Sequence, residues 1–440
     1  MVIPSQAQFK TLVEFNKTTG YPPNAPLVQG FDGNLYGTTY AGGSHDDGGS
    51  SFGGTVFNVS TAGTLTTIYN FCAEADCADG QLNHVGLILG NDGNYYGVTT
   101  QGGNTSGGCV GTGCGTVFKI TPQGVLTTLY SFCSEANCAD GLYPESALVQ
   151  GVDGDFYGAT TFGGANPCAS SGGGGCGTLF KITTSGVQTT IHSFCSQSNC
   201  SDGDFPGQLI LGADGNFYGT TSYGGSNNAG TFFKITPQGT LTTVYSFAEG
   251  SNATGVIQAA DGNFYGTTMT YFFKITPQGT LTMIAQGGSP HGQLLQATDG
   301  NFYGTTDNIL FKLTPSGLLT TLRKFKTGSP TGGVVQATNG ILYGTTAQPG
   351  KDGMIYEWLT RLSPFVETLP TSAAAGSAVT ILGANLTGSS AVSFNGTAAT
   401  FTLVSDTEIT TTVPAGSTTG TVTVTIPKGT LSSNVAFTIP

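Results

Sequence analysis

The stretch QLILGADGNFYGTTSYGGSNNAGTFFKITPQGTLTTVYSF, residues 208–247, contains four short apolar-rich segments, LIL, FYGTT, TFFKIT and LTTVYSF, separated by turn signals. D-G-N and P-Q-G supply glycines for positive-φ hairpin turns, so the four segments predict an antiparallel meander. The core DGNFYGTT (214–221) returns at 261–268 and 299–306. Alignment on the tyrosine of the Y-G motif finds the repeat at Tyr36, Tyr96, Tyr157, Tyr218, Tyr265, Tyr303 and Tyr343, spaced 38 to 61 residues apart. Four strands per copy at such a period predict an all-β, seven-bladed β-propeller.

The ends of the repeat region support closure of the ring. FKTLVEFN (9–16) fits the fourth-strand pattern although no other strands precede it, and the last copy has ILYGTT and GMIYEWLTRL but lacks a fourth strand. Pairing the first segment with the last copy removes both sheet edges. The propeller is therefore expected over residues 1–362. Tyr rings and Thr methyls are expected to fill the space between blades, with the Gly after Tyr allowing close sheet approach.

The repeat resembles the Gloeobacter/Verrucomicrobium-type tandem repeat (GloVer repeat) of secreted bacterial proteins, over roughly residues 8–360. The resemblance implies a secreted repeat protein and supplies no catalytic residues. After Trp358 the grammar changes. AGSAVTILGANL, VSFNG, TEITTTVPAG and GTVTVTI are short strands with frequent turns and look like an IPT/TIG immunoglobulin-like domain over 363–440. Such domains usually serve as spacers or interaction modules.

Charge limits the partners. With 13 Lys+Arg and a net charge of −12, the chain lacks the clustered cations that nucleic acid or an anionic membrane surface requires. Calcium or neutral ligands such as glycans fit better. No apolar run is long enough to span a membrane, and MVIPSQAQF has neither the basic nor the apolar region of a signal peptide, which suggests a mature or trimmed form.

Ten cysteines fall into near-neighbour pairs: Cys72/Cys77, Cys109/Cys114, Cys133/Cys138, Cys168/Cys176 and Cys195/Cys200. This pattern reads as disulfides and an extracellular setting; zinc is the rival, disfavoured by the C-x4-C spacing and the lack of a recurring His.

In a four-stranded meander, the insertions at 40–54, 101–115, 162–177 and 222–230 share one face with the connections at 72–80, 133–141 and 195–203. Only the early copies are built up there, and function tends to reside in such loops on a rigid scaffold. Tyr40, Phe162 and Tyr223, which follow the Y-G-x-T motif in positions read as equivalent, and Tyr21, Tyr143 and Phe205 from the connections are candidate ligand contacts. Aromatic planes among Asn, Asp and Gly suit a sugar, although packing beneath the loops accounts for the same rings. Asp79, Asp140 and Asp202 each precede a Gly after a cysteine pair. They are calcium candidates, against a turn role that Asp-Gly favours.

No nucleophile elbow, zinc-protease helix or phosphate loop occurs. His84 or His45 with Tyr40 and an acidic neighbour could form an acid/base set. His192 falls in a fourth-strand pattern, and the F-K-I-T lysines are expected on solvated blade surface. The function expected is glycan or extracellular-protein recognition in adhesion, with a subunit of a self-assembling structure or a polysaccharide lyase or hydrolase as the alternatives.

Overall fold

The computed structural model describes residues 9–440 apart from 47–51, 106–108, 110, 169–173, 249–252, 288–289, 327 and 349–350. Each copy of the repeat forms one antiparallel sheet. The opening segment gives the strands Ile210–Leu211, Phe217–Tyr223, Thr231–Ile235 and Leu241–Ser246 in spatial order, with Asp204–Pro206 added beside the second. The second and third strands are almost wholly buried because neighbouring sheets cover both their faces; the fourth is the half-buried outer edge.

Aromatic stacking joins the sheets. Tyr36 stacks on Tyr95 of the next sheet at 4.1 Å, Tyr96 on Phe156 at 3.9 Å, and Tyr157 on Phe217 at 4.1 Å. Tyr218 and Tyr265 meet Phe264 and Phe302 in the same way, each at 4.3 Å. The glycine after the tyrosine makes room for the phenylalanine of the third strand: a Cβ on Gly219 would lie 2.7 Å from the Phe233 ring.

The D-G-N aspartate does more than turn the chain. Asp214 accepts a hydrogen bond from the Tyr218 hydroxyl at 3.0 Å and pairs with Lys234 at 2.7 Å, and the lysine ammonium lies over the same tyrosine ring. Asp153 with Lys181, Asp261 with Lys274 and Asp299 with Lys312 repeat the arrangement, all at 2.8 Å. The F-K-I-T lysines are thus not simply solvated surface but tie the turn to the third strand, while Lys119 reaches Asp92 only at 4.0 Å.

These pairs make stability depend on acid. Burial pushes the Asp214 and Asp261 carboxyls up, but lysine and asparagine hydrogen bonds outweigh it and hold both down at about 2. A folded-state pKa below the unfolded value of about 3.9 gives stabilisation that is complete above it and lost as pH falls toward 2. Both carboxylates are partly exposed, so each contributes about 1 kcal/mol or less. Thermal unfolding of Asp214→Asn/Asp261→Asn should show a shallower loss between about pH 4 and pH 2 than the parent; parallel profiles would contradict this.

The closing sheet departs from the repeat in a way that selects its partner. Asn339 stands where the other turns have Asp, and Glu357 stands opposite Tyr343 where most copies have Lys. Strand Phe9–Glu14 pairs antiparallel with Lys351–Trp358, and Lys10 meets Glu357 at 3.0 Å. Phe9 stacks on Tyr356 at 5.4 Å, with the Arg323 guanidinium 4.1 Å from its ring. One core cluster then joins Leu35 and Phe57 of the first sheet to Tyr343 and Ile355 of the last.

Beyond Pro364, two four-stranded sheets pack around Val379, Ile381, Val392, Phe394, Val422 and Val424. This unit lies against the D-G-N turns: Thr407 Oγ1 donates to Phe31 O at 2.6 Å, and the Phe365 N–H to Thr338 O at 3.1 Å.

Candidate functional site

All ten cysteines are oxidised, in the nearest-neighbour pairs Cys72–Cys77, Cys109–Cys114, Cys133–Cys138, Cys168–Cys176 and Cys195–Cys200. The thiolates that the zinc alternative requires are therefore consumed.

A buried carboxylate organises each connection. Asp140 accepts from the Tyr130 hydroxyl at 2.8 Å and from the Ser134 and Glu135 N–H groups at 2.9 and 3.3 Å. Asp79 does the same with Tyr69, Ala73 and Glu74. Asp202 takes His192 Nε2 at 3.1 Å in place of the tyrosine, with Ser196 and Gln197. Burial raises the Asp202 carboxyl, but these donors win and hold it below the ordinary range. Burial, then Asp140, pushes the Tyr130 hydroxyl up, so it stays protonated and donates. A calcium ion at any of the three carboxylates would have to displace donors supplied by their own loop.

Two residues past each Gly, the chain turns left-handed at Leu82 (φ 55°), Tyr143 (φ 54°) and Phe205 (φ 52°). For such bulky residues this conformation is strained, of the order of 1–3 kcal/mol, and such residues cluster at functional sites. It is held by the insertion of the preceding sheet: the N–H groups of the three donate to Gly53, Cys114 and Cys176 carbonyls at 3.2, 2.9 and 3.0 Å. Insertion and connection are thereby locked together.

Four of the six candidate rings form one continuous edge-to-face series: Tyr143 to Phe162 at 6.2 Å, Phe162 to Phe205 at 5.1 Å, and Phe205 to Tyr223 at 5.8 Å. Tyr223 is 41% exposed and the other three are partly so. The undersides of Tyr143 and Phe205 pack on the disulfide-bearing core, so packing and presentation coexist.

Tyr40 does not share the position of Phe162 and Tyr223. Its N–H donates to Pro22 O as Thr161 N–H does to Tyr143 O, so Thr161 is its counterpart. A shift of one residue along an extended strand turns the side chain to the other side. Tyr40 instead meets His84, ring centroids 4.4 Å apart. Glu145, which sequence reasoning did not single out, occupies the repeat position of His84, four residues after the glycine of its connection, and accepts from Thr161 Oγ1 at 3.0 Å. Burial draws the His84 imidazole below its ordinary value, with Glu145 opposing. Tyr21 stands apart, its hydroxyl 3.5 Å from Asp46; His45 contacts the Phe71 carbonyl at 3.2 Å. Portions of the insertions at 47–51, 106–108, 110 and 169–173 lie outside the described residues.

The sequence profile of the Gloeobacter/Verrucomicrobia repeat matches residues 2–169, 111–308 and 168–356, well over half of the chain. The chain belongs to this repeat family. An IPT/TIG domain follows at 361–439. No curated protein sequence matches this member of the repeat family. Solved structures show the same fold at low identity. Catalytically inactive virginiamycin B lyase from Staphylococcus aureus matches at 14% identity and TM-score 0.55, over 80% of this chain and 99% of that one. A streptogramin B lyase gives 15% and 0.54, over 79% and 96%. The extracellular domain of BT3049, assigned as a hybrid two-component system, from B. thetaiotaomicron gives 11% and 0.54, covering 97% of this repeat protein and 57% of its own chain. The fold is a β-propeller followed by a TIG domain. Among the described residues, no helix is long and apolar enough to cross a membrane.

Proposed function

We propose that the protein is a secreted binding or adhesion protein whose loop-rich propeller face recognises a glycan. In this reading residues 1–362 form a seven-bladed propeller and residues 363–440 the immunoglobulin-like domain. The observation that carries the proposal is the Tyr143–Phe162–Phe205–Tyr223 series, held rigid by strained backbone and disulfides. Aligned ring edges and faces provide the apolar side of a sugar site. Glu145 and the amides of Asn166 and Asn227 lie on the neighbouring loops, the two amide nitrogens donating to backbone carbonyls and Glu145 accepting from Thr161. Rigidity lowers the ordering cost of binding, so modest contacts suffice for recognition.

A second reading, acid/base action on a polysaccharide, is favoured by the contact of Tyr40 with His84 beside Glu145. It predicts product release that the ring series alone would not give. The test of the leading reading is retention of the full chain on a panel of immobilised neutral and acidic polysaccharides, with and without a calcium chelator. Selective retention is the expected result, and loss on chelation would add a metal to the site. Uniform absence of retention would overturn it in favour of protein partners or self-assembly.

A further inference from the structure

The opposite face carries a second repeated feature. Seven residues before the Y-G tyrosine stands Gln29, Gln150, Gln258, Gln296 or Gln336, whereas Leu89 and Leu211 hold that place in the second and fourth sheets. Each glutamine links two sheets. Gln150 Oε1 accepts from the Asn91 N–H of the preceding turn at 3.0 Å, Gln258 from Ala213 at 2.8 Å, and Gln296 from Ala260 at 2.8 Å. Gln336 accepts from Thr298 at 2.9 Å, and Gln29 joins last sheet to first through Thr338 at 2.8 Å. Most amide ends reach their own D-G-N turn, as Gln150 Nε2 does to Gly154 O at 2.8 Å. Leucine can do neither, so the belt is open at two places.

Both openings face one cleft beneath the C-terminal domain. A cavity of about 190 Å³ is lined on the propeller side by Leu89, Leu211 and Val152 with the polar Asn91 and Gln150, and on the other by Glu367, Leu369 and Pro370. It shares Asn91, Val152, Pro370 and Ser372 with a second cavity of about 400 Å³. Val152 is 57% exposed. Glu367 stands exposed at the mouth of the cleft, and among the described residues no cation is paired with it. Asp153, the other carboxylate at the rim, is already paired with Lys181 and Tyr157.

We propose that this cleft binds a small ammonium compound with an apolar body, Leu89, Leu211 and Val152 seating the body and Glu367 the cation. The two leucines forfeit inter-sheet hydrogen bonds that the other five copies keep, and both line this cleft, together with Gln150, which keeps its own bond to Asn91. Small-molecule sites favour such interfaces between domains, with an apolar lining and few polar groups. A single unpaired carboxylate at the edge of that floor favours a cation, which gains a charge-assisted hydrogen bond there.

The test is calorimetric titration of the full chain with n-hexylammonium, n-hexanol and hexanoate. Saturable hexylammonium binding is expected, about tenfold or more tighter than hexanol, with no hexanoate binding. Glu367→Gln should erase that preference. Leu89→Gln with Leu211→Gln should close the belt and abolish binding of hexylammonium and hexanol without lowering the unfolding temperature. Absence of saturable hexylammonium binding, or equal affinity in parent and both variants, would overturn the proposal.

Discussion

Deleting residues 1–14 should cost the protein its closed ring, lowering the unfolding temperature by roughly 7 °C and causing association. The deleted strand partly buries Phe9, Leu12 and Val13. At about 1.5–3 kcal/mol for each large apolar side chain fully buried, their loss comes to about 5 kcal/mol, which in a domain this large is a shift of that size. It also strips the partner from Lys351–Trp358, leaving an unpaired edge that can accept another chain. A peptide spanning residues 8–15, supplied in trans, should restore the parent temperature by adding the strand back, and one with Lys10 replaced by Glu should restore less because it meets Glu357. An unchanged unfolding temperature and a monomeric truncated protein would show that the ring does not depend on this strand.

Asp140→Ala should destabilise the protein by about 3 kcal/mol, far more than an ordinary polar substitution. The carboxylate is fully buried and satisfies a tyrosine hydroxyl and two backbone N–H groups. Removing it leaves all three donors without an acceptor, each a loss of about 1–3 kcal/mol that water entering the loop recovers in part. Asp140→Asn should fall between the two because it keeps one acceptor oxygen. Denaturant unfolding gives the size of the effect, and hydrogen exchange at Ser134 and Glu135 gives its place. Equal stability of Asp140→Ala and the parent, with exchange unchanged, would remove the organising role assigned to the carboxylate.

Much of this architecture was legible in the sequence because the repeat writes its turns and strands in the same order each time. Y-G, D-G-N and P-Q-G mark the sheets, and the orphan strand at Phe9–Glu14 marks the closure. What the sequence did not show follows from geometry. Tyr40, Phe162 and Tyr223 look equivalent by motif, but pairing across the strand sets Tyr40 against Thr161 and turns it toward His84. The F-K-I-T lysines look solvated until the tight D-G-N turn brings the aspartate beneath them. The edge-to-face series alternates between connection and insertion: the Leu142–Phe162 bridge and the Asp204–Tyr223 pairing join segments about twenty residues apart, and the Phe205 N–H bond to Cys176 O joins Phe205 to the preceding sheet's insertion. The glutamine belt was readable at a fixed offset from each tyrosine, yet its two leucines acquire meaning only once the C-terminal domain is placed beneath them.

The most direct measurement is the affinity of the parent and of Phe162→Ala/Tyr223→Ala for the polysaccharide that the parent retains, with unfolding temperature recorded on the same samples. Loss of about 30-fold or more in affinity with folding intact is the result expected if the ring series is the recognition surface. Unchanged affinity in the folded double variant would contradict it and place recognition elsewhere on the molecule.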